Sequence, residues 1–588
     1  MNKLTKKCVA AIASLAMAGT LCVAGAVTMA GVAWAGGPPI RQGSVTANAP
    51  WDKKNTKTTG TITIVNCDAK VVADSQGQSK CESGHKPLTG AEFKLTPIKK
   101  IGDTELNAEA FKKEEIWAKI AGTIDALNRG KEGEAKINLD KNSNNIKTQT
   151  VGANGEAKFE NVALGFYKVE ETKMPAGNYG ANDMTVFYMT LPQIERTKNK
   201  DDANKVDTNY NYNPVVKIKN KDLSSAITKV FSTETGSNAV SVKDTFDYKI
   251  SAEVNHPAGT LDAKSIQDYA VFDDAPTEAF ETITADTAVK SVTVDGVNDA
   301  LTKDTDYTVE IKKNDTAAAI TTDGDDNNLA AQHTRILVKF TEDGLGKIAD
   351  ALNKAKTGTE PKVHVTVSLK LSDSYKNDTD KKEIKNKSGF FKSHPDNATK
   401  DPDPIVSGDD GKGTSTVKLG YLQVNKHDKK TPATKLQGAE FKIFNSEEKA
   451  DACKAALLKR AADSTDIPTE CSDNASKQFT GTTNDQGKFD TDQKVLAGQM
   501  IYLVEVKTPT DYALANEVRG VTVEEGKTTT VDFPNTKISD LNIESWFNLP
   551  ATGAAGVILF ALAGMGLIAA SVFLYMRNRK EEEQQQNA

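Results

Sequence analysis

Apolar and polar residues alternate along much of the chain, which predicts β-strands, because successive side chains of a strand point to opposite faces of its sheet. Two runs in the middle of the chain show this clearly. Their apolar positions are Phe246, Tyr248, Ile250, Ala252 and Val254 in one run and Val363, Val365, Val367, Leu369 and Leu371 in the other. Helices are expected to be a minority, and two are predicted, at Ala110–Asn128 and Glu447–Ala462. The pattern indicates an all-β fold of sandwich domains with small helical insertions.

A unit of several short strands occurs twice, at about residues 50–222 and about residues 417–540. Its clearest segment reads LTGAEFKL at 88–95 and LQGAEFKI at 436–443. Short strands separated by turn residues are typical of a β-sandwich. A different β pattern lies between the two copies. At its end, residues 393–413 are rich in Asp, Pro and Gly and are expected to form a linker.

The amino terminus has the features of a secretory signal peptide. Three early lysines precede an apolar, alanine-rich stretch, and Ala-Trp-Ala at 33–35 is a small-x-small cleavage site. We therefore predict a signal peptide over residues 1–35. The alternative is an uncleaved N-terminal membrane anchor.

The carboxyl terminus combines three features in a fixed order. The sequence Leu549-Pro550-Ala551-Thr552-Gly553 is followed by an uncharged apolar stretch at 554–576 and then by basic residues. Such a stretch can span a bilayer with the basic residues on the cytoplasmic side. The order closely resembles the cell-wall sorting signal of Gram-positive surface proteins. The resemblance implies that a sortase transpeptidase cuts between Thr552 and Gly553 and passes the Thr552 carbonyl to an amine. The alternative is a chance linker next to the membrane.

Composition narrows the function by exclusion. The 588 residues include 74 Lys and Arg against 80 Asp and Glu, a net charge of −6, so the chain lacks the basic excess of a nucleic-acid-binding protein. The six His show no metal-ligand spacing, and the sequence has no Ser-His-Asp order and no Gly-rich phosphate loop. We expect no nucleic-acid partner, no metal, no cofactor and no enzymatic turnover.

Four of the six cysteines lie outside the predicted signal peptide, namely Cys67, Cys81, Cys453 and Cys471. An even number in an exported protein suggests disulfides. The short spacing within each pair and the long separation between the pairs favour two local loops, Cys67–Cys81 and Cys453–Cys471, over a metal site. The second disulfide would tether the predicted helix that contains Cys453.

In the second copy of the repeated unit, three polar residues stand where the strand pattern expects apolar ones. Lys426, Glu505 and Asn535 each continue the inward-facing set of a strand. Burial lowers the pKa of a lysine and raises that of a glutamate. A neutral amine can then attack the asparagine side-chain carbonyl while the acid relays protons and ammonia leaves. The product is a Lys–Asn isopeptide bond. The alternatives are an ordinary buried ion pair or a lysine whose amine reaches solvent.

This arrangement resembles the collagen-adhesin B-type (Cna B) domains of Gram-positive pilins, which are immunoglobulin-like sandwiches in which such bonds form spontaneously. The resemblance implies a bond between Lys426 and Asn535, with Glu505 as the catalytic acid. The first copy has Glu170 and Asn220 in the places of Glu505 and Asn535, but it departs from the pattern because Asn66 stands where the second copy has Lys426. We therefore predict no isopeptide bond in the first copy, where the Cys67–Cys81 disulfide would supply the cross-link.

The central part resembles the fimbrial isopeptide-forming domain of backbone pilins. The resemblance implies a bond between Lys229 and Asn386, with Asp273 as the acid. Asp274 is an alternative acid, and Asn397 is an alternative amide.

The last strand of the first copy carries three outward-facing lysines, Lys217, Lys219 and Lys221. The segment resembles the pilin motif of backbone subunits, in which the acceptor lysine directly precedes an asparagine, and this places the acceptor at Lys219. Ile218 and Lys217 depart from the Pro and Tyr of the family motif. The alternatives are linkage through Lys217 or Lys221, or an ordinary basic edge strand. Glu170 resembles the E-box glutamate of these pilins.

Taken together, the resemblances imply a backbone subunit of a sortase-assembled pilus, exported to a Gram-positive cell wall, with Thr552 of one subunit joined to Lys219 of the next. The fibre would be a head-to-tail assembly that does not close. The expected divisions are an N-terminal domain at 36–222, a central domain at 223–416, a C-terminal domain at 417–540 and the sorting signal at 541–588. The implied partners are sortases, identical subunits, minor or tip pilins, peptidoglycan and a host glycan or matrix ligand. The alternative function is a wall-anchored monomeric adhesin or an accessory pilin.

Overall fold

The computed structural model describes residues 41–540 except for 46–48, 69–70, 74–78, 82–84, 129–135, 183–185, 199–204, 232–244, 256–259, 356–360, 373–374, 376–377, 379, 397, 461–465, 473–476 and 479–480. Strands dominate this part of the chain and helices are few, which confirms the all-β prediction. The predicted signal peptide and sorting signal lie outside the described residues. Among those residues, no helix is long and apolar enough to cross a membrane.

Residues 41–222, called the first region below, form two main facing sheets. The strands are β1 Arg41–Val45, β2 Thr59–Cys67, β3 Val71–Ala73, β4 Ser79–Cys81, β5 Glu92–Ile101, β6 Thr104–Glu105, β7 Ile137–Leu139, β8 Lys147–Thr150, β9 Glu156–Ala163, β10 Gly165–Lys173, β11 Tyr179–Asn182, β12 Val186–Leu191, β13 Gln193–Lys198, β14 Lys205–Asn211 and β15 Val215–Asp222. One sheet has the order β12-β10-β5-β6 and the other has the order β11-β15-β2-β9. Inward residues such as Ile62, Phe93 and Phe159 are fully buried between them. Helix α1, Glu114–Asn128, packs its buried Trp117 into the same core.

Residues 223–416, the central region, form a second sandwich. The strands are β16 Ile227–Phe231, β17 Thr245–Glu253, β18 Ala270–Pro276, β19 Val289–Val294, β20 Tyr307–Asn314, β21 His333–Phe340, β22 Lys362–Lys370, β23 Glu383–Phe391 and β24 Ile405–Val406, and helix α2 is Glu342–Lys354. The two alternating runs found in the sequence are β17 and β22. They pair antiparallel, and their apolar side chains are buried, as the pattern predicted.

Residues 417–540, the last region, share a strand with the central region. The elements are β25 Thr414–Asp428, β26 Glu440–Phe444, helix α3 Glu447–Lys459, β27 Lys477–Gln478, β28 Gln493–Leu496, β29 Met500–Lys507, β30 Arg519–Thr522 and β31 Thr528–Asn535. Strand β25 pairs first with β23 of the central region and then with β28 and β31 of the last region. The division predicted between residues 416 and 417 therefore falls inside one continuous strand.

The expectation of a linker at residues 393–413 is wrong. Ser393 and His394 are buried, and β24 pairs with β23. Next to this segment, the buried Lys392 donates to the Gly177 carbonyl of the first region at 3.0 Å. The composition indicated turns, which the segment does contain, but its polar groups find partners in the fold, so it packs instead of extending into solvent.

Candidate isopeptide and linkage sites

Three polar side chains meet in the core of the last region. Lys426 and Asn535 lie on the parallel strands β25 and β31, and Glu505 comes from β29 in the facing sheet. None of the three is more than 1% exposed. The Lys426 amine contacts Asn535 Oδ1 and lies 3.2 Å from Glu505 Oε1. Asn535 Nδ2 donates to Glu505 Oε2 at 2.8 Å. The carbonyl therefore faces the amine, and the leaving nitrogen faces the acid.

Burial shifts the pKa of the amine and of the acid toward their neutral forms. Burial lowers the pKa of Lys426 and raises the pKa of Glu505, and their mutual attraction opposes both shifts. A neutral amine is a nucleophile, and a protonated carboxyl can donate to a departing nitrogen. The Asn535 amide is also held by the Thr508 hydroxyl at 2.8 Å and the Ala513 carbonyl at 2.9 Å. The geometry thus suits attack of the Lys426 amine on the Asn535 side chain.

The central region holds a second set of the same kind. Lys229 Nζ lies 2.5 Å from Asp273 Oδ2, and both side chains are fully buried. The same amine donates at 3.2 Å to the carbonyl of Lys387, the residue after Asn386. Asn386 is fully buried and lies against the Asp273 carboxyl. Neither the oxygen nor the nitrogen of its amide meets the distance and angle limits of a hydrogen bond with any described residue. Burial lowers the pKa of Lys229 and raises that of Asp273.

The alternative acid of the central region has a different partner. Asp274 lies on the opposite face of β18 and receives two hydrogen bonds from the Arg335 guanidinium, each of 2.8 Å. This bidentate pair is the strong form of a charge-assisted contact. The geometry therefore favours Asp273 as the acid. The alternative amide, Asn397, lies outside the described residues.

In the first region, Glu171 occupies the position that corresponds to Glu505. It pairs with Phe93 across β10 and β5, as Glu505 pairs with Phe441 across β29 and β26. Glu171 Oε1 accepts from the buried Asn220 Nδ2 at 3.1 Å.

Glu170, which we expected to fill this role, lies on the other face of β10. Its carboxylate contacts Lys94 at 3.0 Å and Lys168 at 2.9 Å. The sequence does contain the signal for the correct residue, since Glu171 and Glu505 each stand four residues before a proline, Pro175 or Pro509. Matching the Val-Glu dipeptides instead shifts the alignment by one residue.

The lysine-bearing strand β15 is internal to its sheet. It pairs with β2 on one side, where Lys219 lies opposite Cys67, and with β11 on the other. The inward residues Val216, Ile218 and Asn220 are buried, and Lys217 on the alternate face is partly exposed. The strand is therefore not the edge strand considered above. The side chains of Lys219 and Lys221, and the whole of the Thr552 motif, lie outside the described residues.

Both predicted disulfides are confirmed. Cys67 and Cys81 join the end of β2 to β4, with 5.6 Å between their Cα atoms. Cys453 and Cys471 tether helix α3 to a short 3-10 turn at Thr469–Cys471, with 4.8 Å between their Cα atoms.

One serine, histidine and aspartate do meet in space, although their order in the sequence gives no sign of it. Ser251 Oγ lies 2.8 Å from His364 Nδ1, and His364 Nε2 lies 3.0 Å from Asp295 Oδ1. The serine lies on β17, which is paired on both sides, so its strand's amides are used in the sheet. An oxyanion needs free donors, and this strand does not supply them.

Comparisons with known proteins agree with the fold and the carboxyl-terminal motif. The SpaA family, described as a prealbumin-like fold domain, matches residues 77–205 and 420–537. The LPXTG cell wall anchor motif matches residues 547–583. The fimbrial subunit type 1 of Actinomyces viscosus is 25% identical over 545 residues, covering 88% of this chain and 90% of that protein.

Two solved structures are similar over most of the chain. The fimbrial protein FimP from Actinomyces oris is 19% identical, with a TM-score of 0.44, and covers 82% of this chain and 98% of its own. The major pilin SpaD from Corynebacterium diphtheriae is 21% identical, with a TM-score of 0.37 and the same two coverages. The matched families and the fimbrial relative are structural surface proteins and not enzymes. This chain is a cell-wall-anchored homologue of a fimbrial subunit and contains two SpaA-type prealbumin-like domains.

Proposed function

We propose that the protein is the shaft subunit of a covalent pilus, in which the Thr552 carbonyl of one subunit is joined to the Lys219 amine of the next. The observation that carries the proposal is the presence of both reaction partners on one chain. The LPXTG motif supplies an acyl donor, and the sequence of β15 supplies the candidate amines of Lys217, Lys219 and Lys221. Donor and acceptor at different places on one subunit generate an open, head-to-tail fibre.

The partners of this proposal follow from the same chemistry. A sortase forms the Thr552–Lys219 bond, further copies of the chain extend the fibre, and peptidoglycan receives its base. Minor or tip pilins and a host glycan or matrix protein would complete the assembly. The subunit would consist of three domains, at 36–222, 223–416 and 417–540, connected through β15 and β25.

Internal isopeptide bonds would stabilise the subunit. In the last region, Lys426 Nζ attacks Asn535 Cγ, the bond from Cγ to Nδ2 breaks, and Nδ2 leaves as ammonia after Glu505 has relayed the proton from the amine. In the central region, Lys229, Asn386 and Asp273 take the same three roles. The buried geometry of both sets supports this chemistry. A reduced ectodomain should therefore be lighter than its sequence by two molecules of ammonia.

A denaturing immunoblot of enzymatically released cell wall tests the shaft function. Wild-type protein should give a ladder of high-mass species, and Lys219→Ala should give only monomer. Lys217→Ala is the matched control on the same strand and should keep the ladder. A ladder in Lys219→Ala that disappears in Lys217→Ala would move the linkage site. A single monomer band in wild-type cells that express their own sortases would contradict the shaft and favour a wall-anchored monomeric adhesin.

A further inference from the structure

We propose that the first region contains a dormant isopeptide-forming site that lacks only its amine. Glu171 would be the acid and Asn220 the amide, and Asn66 stands where the lysine belongs. The inference rests on the proposed isopeptide chemistry of the last region. It assigns a latent activity to a region for which the sequence predicts no cross-linking chemistry of this kind.

The main chains of Asn66 and Lys426 are held by the same two hydrogen bonds. Each amide donates to the carbonyl of a turn glycine, Gly155 at 2.9 Å or Gly487 at 2.8 Å. Each carbonyl accepts, at 3.1 Å, from the amide of the leucine that opens the next conserved segment of the repeat. Because the main-chain amide and carbonyl of each residue have equivalent partners, the side chains of Asn66 and Lys426 leave their strands in the same direction.

In both regions, the neighbouring parallel strand pairs with this strand in the same register. Ile218 lies opposite Asn66 in the parallel ladder, as Phe533 lies opposite Lys426. In each region, the asparagine of the last strand follows two residues later. The Cα of a lysine at position 66 would therefore have the same position relative to Asn220 as the Cα of Lys426 has relative to Asn535.

The amide and the acid of the first region are already arranged as in the last region. Asn220 Nδ2 donates to Glu171 Oε1 at 3.1 Å and to the Gly180 carbonyl at 2.8 Å. Asn535 Nδ2 likewise donates to a glutamate, Glu505, and to a main-chain carbonyl. In both regions, the leaving nitrogen thus faces the acid and the oxygen faces away from it.

Unpaired polar atoms mark the position of the missing amine. Asn535 Oδ1 contacts the Lys426 amine, whereas Asn220 Oδ1 is buried with no hydrogen-bond partner among the described residues. Both amide atoms of the fully buried Asn66 are also unpaired there. Buried polar groups normally have partners. A longer side chain that ended in an amine at position 66 would give Asn220 Oδ1 the partner that it lacks.

The residue next to the expected position of the amine is smaller in the first region than in the last. The Lys426 amine lies 5.2 Å from the centre of the Phe533 ring, and the first region has the smaller Ile218 at that register position. In an Asn66→Lys variant, the new Nζ would attack Asn220 Cγ, the bond from Cγ to Nδ2 would break, and Nδ2 would leave as ammonia. Glu171 would transfer the proton from the amine to the leaving nitrogen, so atoms and charge balance.

Intact mass of the reduced, exported chain tests the inference. The wild-type chain should lack two molecules of ammonia, and Asn66→Lys should lack three. Asn66→Lys combined with Asn220→Ala, or with Glu171→Ala, should again lack two. Peptide mapping of the single variant should find residue 66 joined to residue 220.

The other outcomes separate this inference from the chemistry on which it rests. A wild-type chain of full sequence mass would contradict isopeptide formation as a whole. Two losses in wild type and two in Asn66→Lys would contradict only the dormant site. Asn66→Met, which is long and has no amine, controls for folding. If the Met variant folds and the Lys variant does not, or if neither folds, the first region cannot form the bond.

Discussion

The first and last regions have the same kind of β-sandwich, but they differ at the residue that would supply the amine of the cross-link. Asn66 and Lys426 have the same main-chain partners, and both regions place a buried asparagine beside a buried glutamate. The strand end is nevertheless secured differently. In the first region, Cys67 directly follows Asn66 and forms a disulfide to β4. In the last region, the disulfide lies on helix α3, away from the triad. Under the proposed chemistry, the two regions secure equivalent strands with different covalent bonds, a disulfide in the first region and an isopeptide bond in the last.

The largest difference between the two regions should appear when the equivalent asparagines are replaced. Asn535→Ala removes the acceptor of the proposed bond and leaves Lys426 and Glu505 buried without it. We expect a loss of about 3–5 kcal/mol in the free energy of unfolding of the last region. Asn220→Ala removes hydrogen bonds only and should cost the first region about 1–3 kcal/mol. Calorimetry of both variants measures the two losses, and equal losses would contradict a bond at Asn535.

A second substitution pair separates chemistry from stability in the central region. Asp273→Asn should abolish the mass loss of the Lys229–Asn386 bond, because it removes the proton relay. Asp274→Asn should keep that mass loss. It should still lower the free energy of unfolding by about 3–5 kcal/mol, since the buried Arg335 loses its charged partner. Intact mass and thermal unfolding of both variants decide the assignment, and an Asp274→Asn chain that lacks only one ammonia, that of the last region, would make Asp274 the acid.

Much of this architecture can be predicted from the sequence because strand alternation is a local signal. The phase of Lys426, Glu505 and Asn535 within their strands is enough to predict that all three share one face, and the fold brings them together. The central acid is ambiguous in the sequence because adjacent aspartates in a strand point to opposite faces. Only the position of Arg335, sixty-one residues away, shows which one has another partner.

The sequence predictions fail where a residue's contacts are distant in the sequence, or where the two copies of the repeat can be aligned in more than one way. Matching the Val-Glu dipeptides selects Glu170, whereas the shared sheet register selects Glu171. The linker prediction for residues 393–413 is wrong because composition does not reveal tertiary partners. Asp268, more than a hundred residues from His394, is one of these partners.

The two disulfides should contribute unequally. The Cys67–Cys81 bridge spans 14 residues and the Cys453–Cys471 bridge spans 18, so loop entropy alone predicts a similar contribution of about 3 kcal/mol for each. The described residues of the first region contain no second covalent cross-link, however. We expect Cys67→Ser with Cys81→Ser to lower its melting transition more than Cys453→Ser with Cys471→Ser lowers that of the last region. Calorimetry compares the two, and a larger effect in the last region would contradict the role of the first disulfide.

The smallest effect should be a pH dependence of the stability of the central region. Burial alone would lower the pKa of His394, but hydrogen bonds to Asp268 at 3.0 Å and to the Pro395 carbonyl at 2.8 Å raise it above its usual value. Nearby Lys400 opposes the rise. A raised pKa in the folded state means that the charged ring stabilises the fold below about pH 6.5.

This stabilisation is lost as the pH rises through the folded-state pKa of His394. The loss should amount to at most about 1 kcal/mol, because the Asp268 partner is partly exposed. Melting of the central region between pH 5.5 and pH 8.5, a window of about one to two units on either side of the usual histidine pKa, measures it. The control His394→Gln should abolish the slope. A slope that survives in His394→Gln would assign the titration to another group.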